Sequence, residues 1–113
     1  MFSLSKTLRG AAVMTLAAAG LAARAQAGEV AVDQKDLMFT PDSVTIKAGD
    51  SVRFKDSDRI AHDITIVNPD GSSEDKGMDT YNVQILVPFP KPGVYHVRCR
   101  IHPTMKMTVT VTP

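Results

Sequence analysis

The chain has one cysteine, no tryptophan and only 5% aromatic residues among its 113 residues. A single cysteine excludes an internal disulfide. In an oxidising compartment a lone thiol such as Cys99 is reactive unless it is buried, binds a metal or pairs with a cysteine of another chain. Cys99 is therefore the residue whose role the rest of the sequence has to explain.

The sequence also lacks an apolar run of the roughly 20 residues needed to span a bilayer. The apolar stretch from Gly10 to Ala22 is shorter, follows the cations Lys6 and Arg9, and precedes the small-x-small sequence Ala25-Gln26-Ala27. This order is typical of a secretory signal peptide. We expect cleavage after Ala27 to remove residues 1–27, with export to the periplasm and no membrane insertion of the mature part.

No strong excess of either charge is present, since the formal net charge is +1. Loss of Lys6, Arg9 and Arg24 with the leader reduces 13 basic residues to 10, against 12 acidic ones. A balance this close to neutral argues against nucleic acid or an anionic membrane surface as a partner. The remaining 86 residues, 28–113, are enough for one domain and too few for two.

Apolar and polar residues alternate in short runs from Glu29 onward, and Pro, Gly, Asp and Asn separate the runs. This pattern predicts an all-β sandwich of about seven to eight short strands in two sheets. The residues predicted to point inwards are Val44, Ile46, Val52, Phe54, Ile64, Ile66, Val83, Ile85, Val87, Tyr95, Val97, Cys99, Met107, Val109 and Val111.

Two connections carry specific predictions. Lys47-Ala48-Gly49-Asp50 is interpreted as a four-residue hairpin connection between the strands that contain Ile46 and Val52. The region from Asn68 to Thr80 shows no apolar period, and we predict an exposed loop with room for one helical turn.

The chemistry is concentrated in one loop, where Cys99, His102 and Met105 fall within seven residues between the last two predicted strands. A tight loop can direct a thiolate, an imidazole and a thioether at one point. These soft ligands suit copper in both oxidation states. Zinc is the main rival metal. Met107 or a backbone oxygen is the alternative to Met105 as the axial ligand.

A fourth ligand is predicted at His62, which begins a strand and shares a face with Ile64 and Ile66. Two imidazoles and a thiolate with a weak axial thioether form the blue-copper, or type 1, arrangement. The predicted copper ligands are therefore His62, Cys99, His102 and Met105.

The remaining histidine, His96, has the opposite strand parity to Cys99 and is predicted to lie on the surface. With three histidines in all, only His96 is left for a second copper centre after His62 and His102, which argues against a multicopper oxidase or nitrite reductase. A cysteine hydrolase would need an exposed nucleophile, whereas Cys99 ends an inward-facing pattern. No enzymatic activity is predicted.

The segments from Met38 to Phe54 and from Gly93 to Met105 resemble the N-terminal hairpin and the copper loop of the cupredoxins, the blue copper proteins. Within that family the resemblance is strongest to the amicyanins and pseudoazurins, and it covers nearly all of residues 28–113. It implies a Greek-key sandwich with copper near one end.

The resemblance also implies a monomeric one-electron carrier between periplasmic redox proteins, with a dehydrogenase as donor and a c-type cytochrome as acceptor. A periplasmic protein that delivers or stores copper is the alternative function, since its ligand set could be the same.

Three positions depart from the family pattern: Asp63 replaces the usual Asn, while Ile101 and Met107 replace the Pro and Gly of amicyanin. Asp63 either caps its own strand start or braces the loop after Cys99 through its side chain, and we favour the brace. The Ile101 N–H is expected to donate to the Cys99 sulfur. On this basis Ile101→Pro should lower the reduction potential, and Asp63→Asn should raise it.

Overall fold

The computed structural model describes residues 27–113, so the predicted signal peptide lies outside the described residues except for Ala27. Within this range the chain forms strands and turns, and no helix is long and apolar enough to cross a membrane. The strands are β1 (Glu29–Lys35), β2 (Met38–Thr40), β3 (Ser43–Lys47), β4 (Ser51–Asp56), β5 (His62–Val67), β6 (Ser73–Asp79), β7 (Gln84–Pro88), β8 (Gly93–Arg98) and β9 (Lys106–Thr112).

The nine strands of the described residues form two sheets, in the orders β2-β1-β4-β7 and β3-β9-β8-β5-β6. β1 runs parallel to β4 and β3 parallel to β9, while the other neighbouring strands pair antiparallel. The predicted all-β Greek-key sandwich is confirmed, with one strand more than expected.

The core lies between the two sheets, and β9 illustrates how the sequence builds it. Met107, Val109 and Val111 are buried, whereas the intervening threonines are partly exposed. Most of the residues predicted to point inwards are buried in this way. Val44 and Ile85 are partly buried, and Val83 is 41% exposed and accepts a backbone hydrogen bond from Asp56 in the turn before β7.

The predicted hairpin between β3 and β4 is wrong, because the two strands belong to different sheets. Their connection crosses the end of the sandwich. Gly49 adopts a φ of 99°, and the Asp50 carboxylate accepts hydrogen bonds from the N–H groups of Lys47 and Gly28. Alternation places Ile46 and Val52 on inner faces, but it does not tell which sheet each strand joins.

The prediction of a loop over Asn68 to Thr80 is also wrong, since most of this region is strand β6. β6 lies at the edge of its sheet and pairs with β5. All of its residues except Gly77 and Asp79 are exposed, so it carries no apolar alternation. Charged side chains are common on edge strands because they oppose further strand pairing.

The antiparallel pairing of β8 with β5 and β9 brings three chain segments to one end of the sandwich. The start of β5 at His62, the residue after β8 at Cys99, and the residue before β9 at Met105 all lie at this end. The fold therefore gathers the predicted ligands although they are up to 43 positions apart in sequence.

Candidate metal centre

Three of the four predicted ligands converge on one point. The Nδ1 atoms of His62 and His102 are 3.2 Å apart, and the Cys99 Sγ atom lies 4.0 Å from the first and 3.7 Å from the second. All three atoms lie within 4.8 Å of one another. This is a preformed cluster of two imidazole nitrogens and one thiol sulfur.

Met105 closes the loop that carries Cys99 and His102. The Cys99 N–H donates to the Met105 carbonyl at 3.2 Å, and the Met105 N–H donates to the His102 carbonyl at 2.9 Å. The Met105 side chain is fully buried. Met107, the alternative axial ligand, is buried in the core of β9 beside Val109. The assignment of Met105 as the axial ligand stays a prediction.

Two of the three cluster residues are buried. His62 is 0% and Cys99 1% exposed, whereas His102 is half-buried. The neighbours of His102 in the loop, Ile101 and Pro103, are exposed. His102 therefore forms the contact between the cluster and solvent, within an apolar surface.

The orientation of His62 depends on Asp58, a residue that the sequence analysis missed. The Nε2 atom of His62 lies 2.8 Å from Asp58 Oδ2. Asp58 also accepts the N–H groups of Asp36 and Leu37 at 2.8 and 3.1 Å. Partial burial alone would raise the pKa of Asp58, but the bond to His62 and the two N–H groups lower it. An ionised Asp58 accepting the Nε2 proton leaves His62 Nδ1 free to bind a metal.

A second unpredicted feature lies behind His62, where Gln34, Asp56 and Asp79 are almost fully buried. Asp56 Oδ1 is 3.9 Å from His62 Nε2, and Gln34 donates to Asp79 at 2.5 Å. Burial raises the pKa of both carboxyls, and their mutual repulsion raises the pKa of Asp79 further. One oxygen of each of the three residues has no hydrogen-bond partner within residues 27–113. A proton on either carboxyl would give these acceptors a donor.

The brace predicted for Asp63 is confirmed. Its Oδ1 atom accepts the Arg100 N–H at 2.9 Å and the Thr65 hydroxyl at 3.0 Å, and the Arg100 guanidinium lies 3.3 Å from Oδ2. Burial alone would raise the pKa of Asp63, but these contacts outweigh it and lower the pKa. The side chain thus ties β5 to the ligand loop as an anion.

The donor to the Cys99 sulfur is not the one expected. The Asp63 N–H donates to Cys99 Sγ at 3.4 Å. Among the hydrogen bonds of residues 27–113, none joins the Ile101 N–H to this sulfur. The conformation of the loop backbone determines where each N–H points. Closeness in the sequence does not reveal this direction.

The donor set fits a copper ion. Two histidines and one cysteine with a methionine beside them are typical of blue-copper centres, whereas structural zinc sites have four cysteine or histidine ligands. His96 is exposed on the opposite face of β8 and does not join the cluster, as predicted. Fold and site together define the class: a cupredoxin-type domain.

Comparison with known proteins agrees with this class. A sequence model of the cupredoxin-like domain matches residues 8–111. The chain belongs to the cupredoxin-like family.

Several relatives are similar over most of the chain. Amicyanin-alpha of Methylorubrum extorquens is 32% identical over 108 residues, which cover 88% of this chain and 87% of the relative. Pseudoazurin of the same organism is 33% identical, with 77% of this chain and 63% of the relative covered. The crystal structure of amicyanin from Paracoccus versutus is 27% identical, covers 80% of this chain and 87% of that chain, and superposes with a TM-score of 0.67.

Proposed function

We propose that the chain is an exported one-electron carrier whose type 1 copper ion is held by His62, Cys99, His102 and Met105. The observation that supports this most directly is the convergence of two Nδ1 atoms and one Sγ atom within 4.8 Å. When bound, copper supplies the one-electron change between Cu(I) and Cu(II).

The contribution of the protein is to hold the ligands still. Asp58 fixes the ring of His62 at 2.8 Å, and the Asp63 N–H holds the Cys99 sulfur at 3.4 Å. Ligands fixed by packing and hydrogen bonds move little when the charge at the site changes, which favours fast electron transfer. The half-buried His102 supports an electron path to solvent through its ring.

The predicted leader and the family support a periplasmic setting. We propose that residues 1–27 direct export to the periplasm and that the mature chain works there as a monomer. Its partners would be a dehydrogenase as electron donor and a c-type cytochrome as acceptor. The amicyanin-alpha and pseudoazurin relatives support this proposal by family analogy. An enzymatic activity is not proposed, because exposed His96 is the only histidine left for a further metal centre.

The burial of the ligands favours an electron carrier over a protein that delivers or stores copper. His62, Cys99 and Met105 are at most 1% exposed. An acceptor protein could reach only the His102 side, so transfer of the ion would require the end of the sandwich to open.

The test is to load the protein with one equivalent of Cu(I) and add an excess of a coloured Cu(I) chelator. A carrier should retain its copper for hours and should also show rapid electron self-exchange between Cu(I) and Cu(II) forms, measured by NMR line broadening. Loss of Cu(I) to the chelator within seconds, together with slow self-exchange, would establish the delivery function instead.

A further inference from the structure

Asp63 is an unusual carboxylate, because it faces a cation and two further donors although only 1% of the residue is exposed. Its two oxygens accept bonds from the Thr65 hydroxyl, the Arg100 N–H and the Arg100 guanidinium. Its own N–H donates to the Cys99 sulfur. One residue thus carries both the hydrogen bond to the sulfur and a negative charge close to it.

Arg100 is the cation that faces this charge. It follows Cys99 directly, and its Nη2 atom lies 3.3 Å from Asp63 Oδ2 and 2.6 Å from Asp75 Oδ2. Asp75 lies on the edge strand β6, so Arg100 links the ligand loop to both β5 and β6. The Arg100 side chain is itself 61% exposed.

An exposed ion pair is normally weak. This one differs because the Asp63 carboxylate is buried, and removal of one partner leaves a charge that solvent cannot screen well. The uncompensated charge would lie beside the Cys99 sulfur. A carboxylate released from Arg100 would also be free to shift the β5 backbone that presents the Asp63 N–H.

We propose that Arg100 is a positioning residue for the metal centre: it compensates the charge of Asp63 and holds Asp63 so that its N–H meets the Cys99 sulfur. Asp63 and Arg100 act as one unit, so most of the effect that loss of Arg100 has on the metal requires a carboxylate at position 63. This inference deepens the proposed function, and its redox test rests on that function.

The redox test uses the copper-loaded protein and a double-mutant cycle of Arg100→Gln and Asp63→Asn. Arg98→Gln is the matched control, because Arg98 also adjoins Cys99 and is exposed but makes no ion pair within the described residues. Arg100→Gln should shift the redox equilibrium towards Cu(II) by about threefold. In the Asp63→Asn background the shift should fall to less than half. Arg98→Gln should give a smaller shift that is the same in both backgrounds.

A conservative variant tests the role of the Arg100 charge while Asp63 is left unchanged. Arg100→Lys keeps a cation at this position and should recover most of the potential lost in Arg100→Gln. Equal shifts for Arg100→Lys and Arg100→Gln would overturn the inference. So would equal effects of Arg98→Gln and Arg100→Gln in both backgrounds.

A copper-free readout separates this inference from the proposed function. The urea midpoint of the apoprotein should fall in Arg100→Gln when Asp63 is present and stay nearly unchanged when Arg100→Gln is added to Asp63→Asn. Coupling between Arg100 and Asp63 in the apoprotein, without a blue copper form, would support the positioning role of Arg100 and overturn the electron-carrier function. A blue copper form with additive effects of the two substitutions in both assays would support the electron-carrier function and overturn the positioning role.

Discussion

The backbone N–H of Asp63 donates to the Sγ atom of Cys99 at 3.4 Å, so strand β5 contacts the sulfur directly. A hydrogen bond to a thiolate withdraws charge from it and stabilises the lower oxidation state of a bound metal. Because this donor belongs to β5, loss of the Ile101 N–H in the ligand loop should leave it in place.

Ile101→Pro removes the N–H that sequence reasoning assigned to the sulfur. Since Asp63 is the donor, we now expect the reduction potential of Ile101→Pro to stay within about 30 mV of the wild type, which is a threefold change in the equilibrium. Protein-film voltammetry measures this shift. A fall of about 60 mV or more, a tenfold change, would restore the role first assigned to the Ile101 N–H.

Ile101→Lys should slow electron self-exchange, because two copies would have to bring like charges together at the His102 surface. Ile101 is 46% exposed and adjoins His102. We expect a decrease of about tenfold at low ionic strength, which added salt reduces. The control is Val94→Lys, similarly exposed near the start of β8, away from the cluster. Equal slowing in both variants would show that contact does not occur at His102.

Asp58→Ala should weaken metal binding without unfolding the protein. The Asp58 carboxylate fixes His62 through Nε2, and loss of such a partner typically costs roughly 10- to 100-fold in metal affinity. Competition with a Cu(I) chelator of known affinity measures the change. Asp42→Ala is the control, because Asp42 is exposed and lies away from His62 in sequence and in the sheets. Unchanged affinity in Asp58→Ala would mean that packing alone orients His62.

Asp50→Asn should reduce stability in a pH-dependent way. Hydrogen bonds from the N–H groups of Gly28 and Lys47 lower the pKa of Asp50 below its usual 3.8. A lowered folded-state pKa stabilises the protein above the unfolded-state pKa, and this contribution is lost as the pH falls through the folded-state value. The difference in urea midpoint between Asp50→Asn and wild type should therefore be constant from about pH 5 to about pH 7 and shrink below about pH 3.8. A difference that grows in acid would contradict this assignment.

The sequence was sufficient to predict the sandwich and the convergence of His62, Cys99 and His102, because strand parity and the short spacing from Cys99 to His102 carry both. Tyr95, Val97 and Cys99 alternate on one face of β8 and its end, and all three are buried as expected. His62 shares this logic on β5. Strand parity gives the face on which a side chain lies, and the burial of these inward-facing residues could be predicted from that face.

Features that depend on pairing partners were not predictable in the same way. The edge strand β6 is exposed on both faces, so it lacks the apolar period by which a strand is recognised. The crossing from β3 to β4 has the same local sequence signals as a hairpin. Asp58 and the buried pair of Asp56 and Asp79 are acidic residues of a kind that usually lies on the surface. Their roles become visible only where the fold places them against His62.

The optical spectrum of the Cu(II)-loaded protein, with copper content confirmed by metal analysis, tests the central claim most directly. Ligation by Cys99, His62 and His102 should give an intense blue or blue-green charge-transfer band from the thiolate and a small parallel hyperfine coupling. Cys99→Ser should abolish that band while the protein stays folded. A wild-type protein that carries stoichiometric copper but shows only weak bands typical of nitrogen and oxygen ligands would contradict the central claim.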